Sequence, residues 1–141
     1  RQLQDDLAGL MVNLLCGEPC AEERRATGKA KKVVQRARAF ALDRRDEPPT
    51  MIDVCNHTYV SLRTLQNCFQ AVLGKSPATY LKMLRLNGAR RDIMKRGNHA
   101  RVSDVAAEWG FWHLSQFSSD YRRMFGELPS VTRFGGSGYL A

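Results

Sequence analysis

What this chain lacks sets the first limits. No apolar run approaches the roughly 18 residues of a membrane-spanning helix; the best stretch, Leu7 to Cys16, is shorter and broken by Asn13. No secretory signal is present and the chain does not open on Met, so it reads as a piece of a longer protein. Cysteine is sparse. Of Cys16, Cys20, Cys55 and Cys68, the first two could pair or bind metal, but no CxxC or HxxxH partner is nearby, and the chain has enough hydrophobic residues for a conventional core without a disulfide scaffold. Free thiols in a reducing cytoplasm are the expectation. Alternating strand patterns are missing too, so the fold class expected is all-α. Catalytic equipment is equally thin: there is no phosphate loop and no acid–base pair. The one conceivable start, Cys55 or Cys68 with His57, has both cysteines on predicted buried helix faces. Neither an enzyme nor a cofactor nor a bound metal is expected.

Acidic residues are also in short supply. The chain carries 22 Lys and Arg against 14 Asp and Glu, a net charge of +8. The imbalance is local: residues 1–28 hold three basic and five acidic side chains, whereas residues 29–133 hold nineteen and nine. A basic body of that size attracts polyanions, nucleic acid foremost.

What the chain has is a repeat. Ser61 to Pro77 and His113 to Pro129 superpose with an offset of about 52: Leu62 falls on Leu114, Leu65 on Phe117, Phe69 on Tyr121, Leu73-Gly74 on Phe125-Gly126, and proline on proline. Just upstream, Asp53-Val54-Cys55 matches Asp104-Val105-Ala106 and Val60 matches Phe111, with an offset of about 51. Each copy reads as a short helix, a tight turn and a longer helix ending at glycine, the shape of a helix-turn-helix.

The remaining elements follow from spacing and punctuation. Leu3, Leu7, Leu10, Met11, Leu14 and Leu15 make an amphipathic stripe over residues 3–15, and Gly17 to Gly28 reads as a linker. Lys29 to Arg45 is a basic helix with Val33, Val34, Ala37, Phe40 and Ala41 inward, stopped by Pro48-Pro49. Thr50 caps the next helix with Asp53 three residues on, and Ser61 caps the one after. Ser76-Pro77 opens a helix running to about Lys95, roughly 28 Å at 1.5 Å per residue. That length suits a strut between two units reading one face of B-DNA about 34 Å apart. Gly88 inside it points to close packing. Val102 to Trp109 and Leu114 to Phe125 form the second unit, and Pro129 begins a last short helix. The expected fold is two helix-turn-helix units joined by a long linking helix, about seven helices plus an extra N-terminal one. The division expected is residues 1–28 as upstream connector and linker, 29–133 as the double helix-turn-helix domain, and 134–141 as a mobile tail.

A recognition helix exposes its first two turns to base edges. In the first unit those positions hold Leu62, Arg63, Gln66 and Asn67. Arginine can pair bidentately with guanine, and glutamine or asparagine with adenine. The second unit offers His113, Leu114, Ser115, Ser118 and Ser119, a less selective set suited to backbone contact and shape readout. Candidate phosphate partners are Lys75, Arg90, Arg91, Lys95, Arg122 and Arg123, with Arg96 and Arg101 beside them. Trp109 and Phe111 fit core positions by spacing, while Trp112 at the turn suits either packing or a base.

Val105-Ala-Ala-Glu-Trp-Gly-Phe111, Phe117, Phe125-Gly126 and Pro129 resemble the AraC/XylS family of bacterial transcription regulators. So do Val60-Ser-Leu-Arg-Thr-Leu-Gln66, Phe69, Leu73-Gly74, Ser76-Pro77, Tyr80-Leu81, Arg85-Leu86 and Ala89-Arg90-Arg91. Gly110 to Leu114, Gln116-Phe117 and Asp120-Tyr121 are similar to the ethanolamine-operon subgroup. The resemblance implies a seven-helix domain inserting into successive major grooves of promoter DNA. It also implies RNA polymerase as a second partner and an upstream sensor domain for a small-molecule effector. Two positions depart from the family. Ser119 stands where arginine is common, which implies weaker readout by the second unit. Thr132 stands where an aromatic residue usually precedes Arg133, which implies a loosely packed last helix. The alternative reading is a helical protein-interaction module with non-specific affinity for DNA.

Overall fold

The computed structural model describes residues 21–135. Among them are seven α-helices and no strand: α1 (Ala21–Asp43), α2 (Met51–Thr58), α3 (Leu62–Leu73), α4 (Pro77–Arg96), α5 (Val102–Glu108), α6 (Leu114–Phe125) and α7 (Pro129–Gly135), with a 3-10 turn at Gly97–His99. The residue 3–15 stripe lies outside the described residues.

Three boundaries differ from expectation. Ala21 to Gly28, read as linker, forms the first two turns of α1. Good helix formers and an acidic start such as Ala21-Glu22 suit an N-terminal turn, and they outweigh the single Gly28. At the other end, Phe134 and Gly135 belong to α7 rather than to a tail. α1 also ends at Asp43, two residues before the expected Arg45.

The helices gather around two apolar cores. Val34, Ala37 and Ala41 of α1 meet Val54 of α2, Leu65 and Phe69 of α3 and Leu81 of α4. Leu86, Ala89 and Ile93 of α4 meet Val105, Ala106 and Trp109 around α5 with Phe117 and Tyr121 of α6. α4 therefore serves both cores, its first turns one and its middle the other. Twenty residues make it about 30 Å long.

Gly88 explains how α4 and the second unit come so close. The six-membered ring of Trp109 lies where a Cβ on residue 88 would stand, at less than contact distance. The Trp109 indole N–H donates to the Asp92 carboxylate, one turn along α4, at 2.8 Å. The last helix packs firmly, against the expectation set by Thr132. That residue is buried, its hydroxyl accepts from Tyr121 Oη at 2.8 Å and donates to Glu127 at 2.6 Å. A short hydrogen-bonded chain replaces the aromatic contact, and burial raises the Tyr121 phenol above its usual value.

Candidate nucleic-acid interface

Each unit begins with a cap, but the two are capped differently. In the first, the Thr50 hydroxyl and backbone N–H both engage Asp53, and Asp53 N–H donates to the Thr50 hydroxyl. Those hydrogen bonds hold the Asp53 carboxyl below its ordinary value. Ser61 then caps α3 by accepting from the Thr64 N–H at 3.2 Å. In the second unit, Arg101 and His113 occupy the corresponding positions and neither makes a side-chain cap bond.

The turns between the helices use the left-handed backbone region. Gly110 has φ +75°, and Tyr59, its counterpart by the repeat, has φ +57°. A non-glycine residue there costs about 1–2 kcal/mol. Gly110 has a second reason to be glycine, since a Cβ would collide with the Pro48 ring. Tyr59 has no such neighbour and stands 89% exposed beside the start of α3. Sequence reasoning passed over it, although pairing Val60 with Phe111 already placed it opposite Gly110.

The structure sorts the candidate base readers by face. Leu65 and Phe69 are buried, so α3 turns Leu62, Arg63, Gln66 and Asn67 outward together. On α6, Phe117, Asp120 and Tyr121 are buried, which leaves His113, Leu114, Ser115 and Ser119 exposed and Ser118 half-buried. Trp109 is core, Phe111 is half-buried against Phe117 at a ring separation of 4.9 Å, and Trp112 is 71% exposed at the turn before α6.

The phosphate candidates separate as well. Lys75, Arg122 and Arg123 are exposed beside the ends of α3 and α6. Arg90 is half-buried and has partners within the protein: its guanidinium lies over the Phe125 ring at 4.5 Å and 3.7 Å from Glu127. Arg96 is held by Glu108 in a two-pronged pair at 2.8 and 2.9 Å, which raises the arginine and lowers the carboxyl from their ordinary values. Arg91 and Lys95 are exposed one turn apart on α4, and Arg101 is exposed ahead of α5.

Several side chains set the position of the second unit without facing outward. Arg85 lies over the Phe111 ring at 4.8 Å and donates to the Gly110 carbonyl at 3.5 Å. Lys82 reaches from α4 to Asp120 on α6 at 2.7 Å, and Gln116 donates to the same carboxylate at 3.1 Å. The Asp120 side chain is only 5% exposed. Arg45, just beyond α1, covers Trp109 at 5.1 Å. Apart from Gln116 with Asp120, one turn apart on α6, no local pattern marks these pairs, because their partners are distant in sequence.

Cys55 and Cys68 are half-buried rather than fully buried. Burial pushes the Cys68 thiol up, away from the thiolate that a nucleophile needs. Among the described residues no cluster of three or more His, Cys, Asp or Glu side chains is placed to hold a metal, and no helix is long and apolar enough to cross a membrane.

Comparison with known proteins agrees with this arrangement. A helix-turn-helix domain model matches residues 54–134. A probable thc operon regulatory protein of Rhodococcus erythropolis is 36% identical over 85 residues, which cover 60% of this chain and 26% of the relative. The chain thus spans about a quarter of that curated relative's length. A probable AraC family transcriptional regulator from Rhodopseudomonas palustris is 30% identical, with a TM-score of 0.66 over 74% of this chain and 97% of that one. The DNA-binding domain of AdpA, solved in complex with a target DNA, is 25% identical, with a TM-score of 0.64 over 71% and 88% of the two chains. By the matched domain, the paired helix-turn-helix units and these likenesses, the chain belongs to the AraC/XylS family of helix-turn-helix domains.

Proposed function

We propose that this chain is a sequence-specific reader of double-stranded promoter DNA, with α3 and α6 entering successive major grooves. One observation carries the reading. Two outward-facing helices belong to units joined by α4, which is about 30 Å long, a length of the same order as the roughly 34 Å between successive major grooves on one face. The likeness to a domain crystallised on its target DNA supports the same partner here.

α3 is the main base reader. Arg63 suits guanine, Gln66 and Asn67 suit adenine, and Leu62 suits a thymine methyl. α6 brings His113, Leu114, Ser115, Ser118 and Ser119, which discriminate less, so its role is chiefly grip and shape. Lys75, Arg122 and Arg123 neutralise phosphates near the ends of the two helices. Arg90 is taken up by Glu127 and Phe125. Arg91 and Lys95, exposed one turn apart on α4, keep their place as candidates for phosphate contact.

The wider role is that of a cytoplasmic transcription regulator that meets RNA polymerase at the promoter and takes a small-molecule signal through an upstream domain. Gly110 to Leu114 supports a place near the ethanolamine-operon regulators within the family. The test is selection of sites from a random duplex library, followed by a salt titration on the enriched sequence. An enriched site with two short elements about ten base pairs apart supports the reading. Enrichment of one element alone overturns readout by α6. Affinity that merely falls with salt, with no enrichment, replaces the reader with an interaction module of non-specific DNA affinity.

A further inference from the structure

Each helix-turn-helix holds one large aromatic side chain in the open, in the turn ahead of its second helix. Tyr59 is 89% exposed and leads through Val60 and Ser61 into α3; Trp112 is 71% exposed and leads through His113 into α6. Among the described residues neither ring has a stacking or cationic partner, and neither the phenol nor the indole N–H has a hydrogen-bond partner. A single exposed apolar residue is ordinary. Tyr59 is not, because its backbone lies in the left-handed region, the one non-glycine residue with a positive φ among those described. It is the C-cap of α2, where glycine is favoured because a Cβ crowds the following carbonyl. The repeat puts Gly110 at the matching place in the second unit. In the first unit the strain is kept for a side chain that buries almost none of itself in the fold. Such strain persists where the side chain has a task outside the fold.

The two side chains share a chemistry. Tyrosine and tryptophan each join a flat apolar face to a single O–H or N–H donor. Phe134, the other exposed Phe, Tyr or Trp among the described residues, has no donor and lies away on α7. The segment leading into a helix that enters a major groove lies at the rim of that groove, where the sugar–phosphate backbone passes. Resting on the DNA reading above, we propose that Tyr59 and Trp112 are paired backbone anchors, one for each unit. The Tyr59 phenol and the Trp112 indole N–H each donate to a phosphate oxygen, and each ring lies against the adjoining deoxyribose. The anchors set how α3 and α6 enter their grooves. They carry no base preference and no charge.

The test uses the 141-residue chain, with the enriched duplex and an unselected duplex as probes. Tyr59→Gly relieves the left-handed backbone, so its urea midpoint should rise. Its affinity for both duplexes should nevertheless fall, by the same factor of about ten. The salt slope should stay that of the parent, because no cation is removed, which separates this anchor from Lys75. Tyr59→Phe keeps ring and backbone, so its midpoint should not move, yet it should lose most of the same affinity with the O–H. Added duplex should shield Trp112 fluorescence from acrylamide above the background of buried Trp109, and Trp112→Phe should abolish that shielding. Either Tyr59 variant binding both duplexes like the parent overturns the proposal. A loss confined to the enriched duplex makes Tyr59 a base reader and overturns it too, as does quenching of Trp112 that ignores the duplex. Self-association of the parent that disappears in Tyr59→Gly assigns the ring to a contact between copies and overturns it equally. Because the anchors hold any duplex, the unselected one carries the test even where selection enriches no site. A parent chain that binds neither duplex overturns the DNA reading itself, and does so before any variant is compared.

Discussion

Replacing Gly88 by alanine sets two effects of opposite sign against each other. Gly88 sits inside α4, where alanine is favoured over glycine by about 1 kcal/mol on propensity alone. A solvent-exposed position would therefore gain stability. Here the added Cβ falls within the space of the Trp109 ring, overlapping three of its carbon atoms. Trp109 is 3% exposed and pinned by its hydrogen bond to Asp92, so the ring has little room to retreat. Overpacking a core of this kind costs about 1–3 kcal/mol and occasionally more. Overlap with three ring carbons places this case at the upper end, about 2–3 kcal/mol, so after the propensity gain the net expectation is a loss of about 1–2 kcal/mol. Urea denaturation followed by far-UV circular dichroism measures it as a lowered midpoint at constant slope. Trp109→Leu alone removes ring volume and the Asp92 bond; combined with Gly88→Ala, it should make the alanine neutral or better. A midpoint for Gly88→Ala equal to or above that of the parent chain would show that the ring yields freely. The close approach would then not be what glycine is there for.

The other predictions concern DNA and charge. Arg63→Ala should cost about 1–3 kcal/mol on the preferred site and relax one base position, read by repeating the site selection; unchanged specificity removes Arg63 from the readers. Lys75→Ala should weaken all sequences alike and lower the salt slope by about one, and a loss confined to one sequence would argue for a base contact instead. Lys82→Met leaves the nearly buried Asp120 carboxylate with Gln116 alone, and should cost about 1–3 kcal/mol of stability. A urea midpoint indistinguishable from the parent would mean that the pair is incidental. Asp53 and Glu108 both have carboxyls lowered in the folded state, by hydrogen bonds from Thr50 and Arg96 respectively. Their stabilisation is therefore complete above the ordinary carboxylate range and is lost as pH falls through the lowered folded values. The urea midpoint should hold steady from pH 7 to 5 and decline below about pH 4; Glu108→Gln should flatten part of that decline.

What was legible in the sequence was whatever local spacing records. Leu65 and Phe69, repeated as Phe117 and Tyr121, are four apart on one helical face, so α3 and α6 and their outward sides could be read directly. Thr50-Asp53 and Ser61 announced their caps because a cap is a short-range chemical pattern. α4 was harder to read by face. It buries Pro77, Leu81, Leu86, Gly88, Ala89 and Ile93, which serve two cores and follow no single stripe. For that reason Arg90 looked like a surface cation, although its partners Phe125 and Glu127 come from α6 and the turn beyond it. Thr132 misled for a related reason. A missing aromatic ring is visible in sequence, but a replacement formed by Tyr121 and Glu127 from across the fold is not. Residues 21–28 show the limit of composition: glycine and charge suggest a linker until the helix around them is known.

The two units share a plan but obtain their rigidity by different means. The first carries its own stops and starts, with a capping box at Thr50-Asp53 and a serine cap at Ser61. Their counterparts in the second, Arg101 and His113, make no such bonds. That unit is instead tied to the rest of the domain, through Arg85 to Gly110 and Phe111, Lys82 to Asp120, Asp92 to Trp109 and Arg96 to Glu108. Every one of those ties starts on α4. A change within α3 or its caps should therefore stay within the first unit, whereas a change on α4 moves α5 and α6 as a body. If both helices read DNA, the half of the site read by α3 is set by side chains on that helix. The distance to the other half is set by α4.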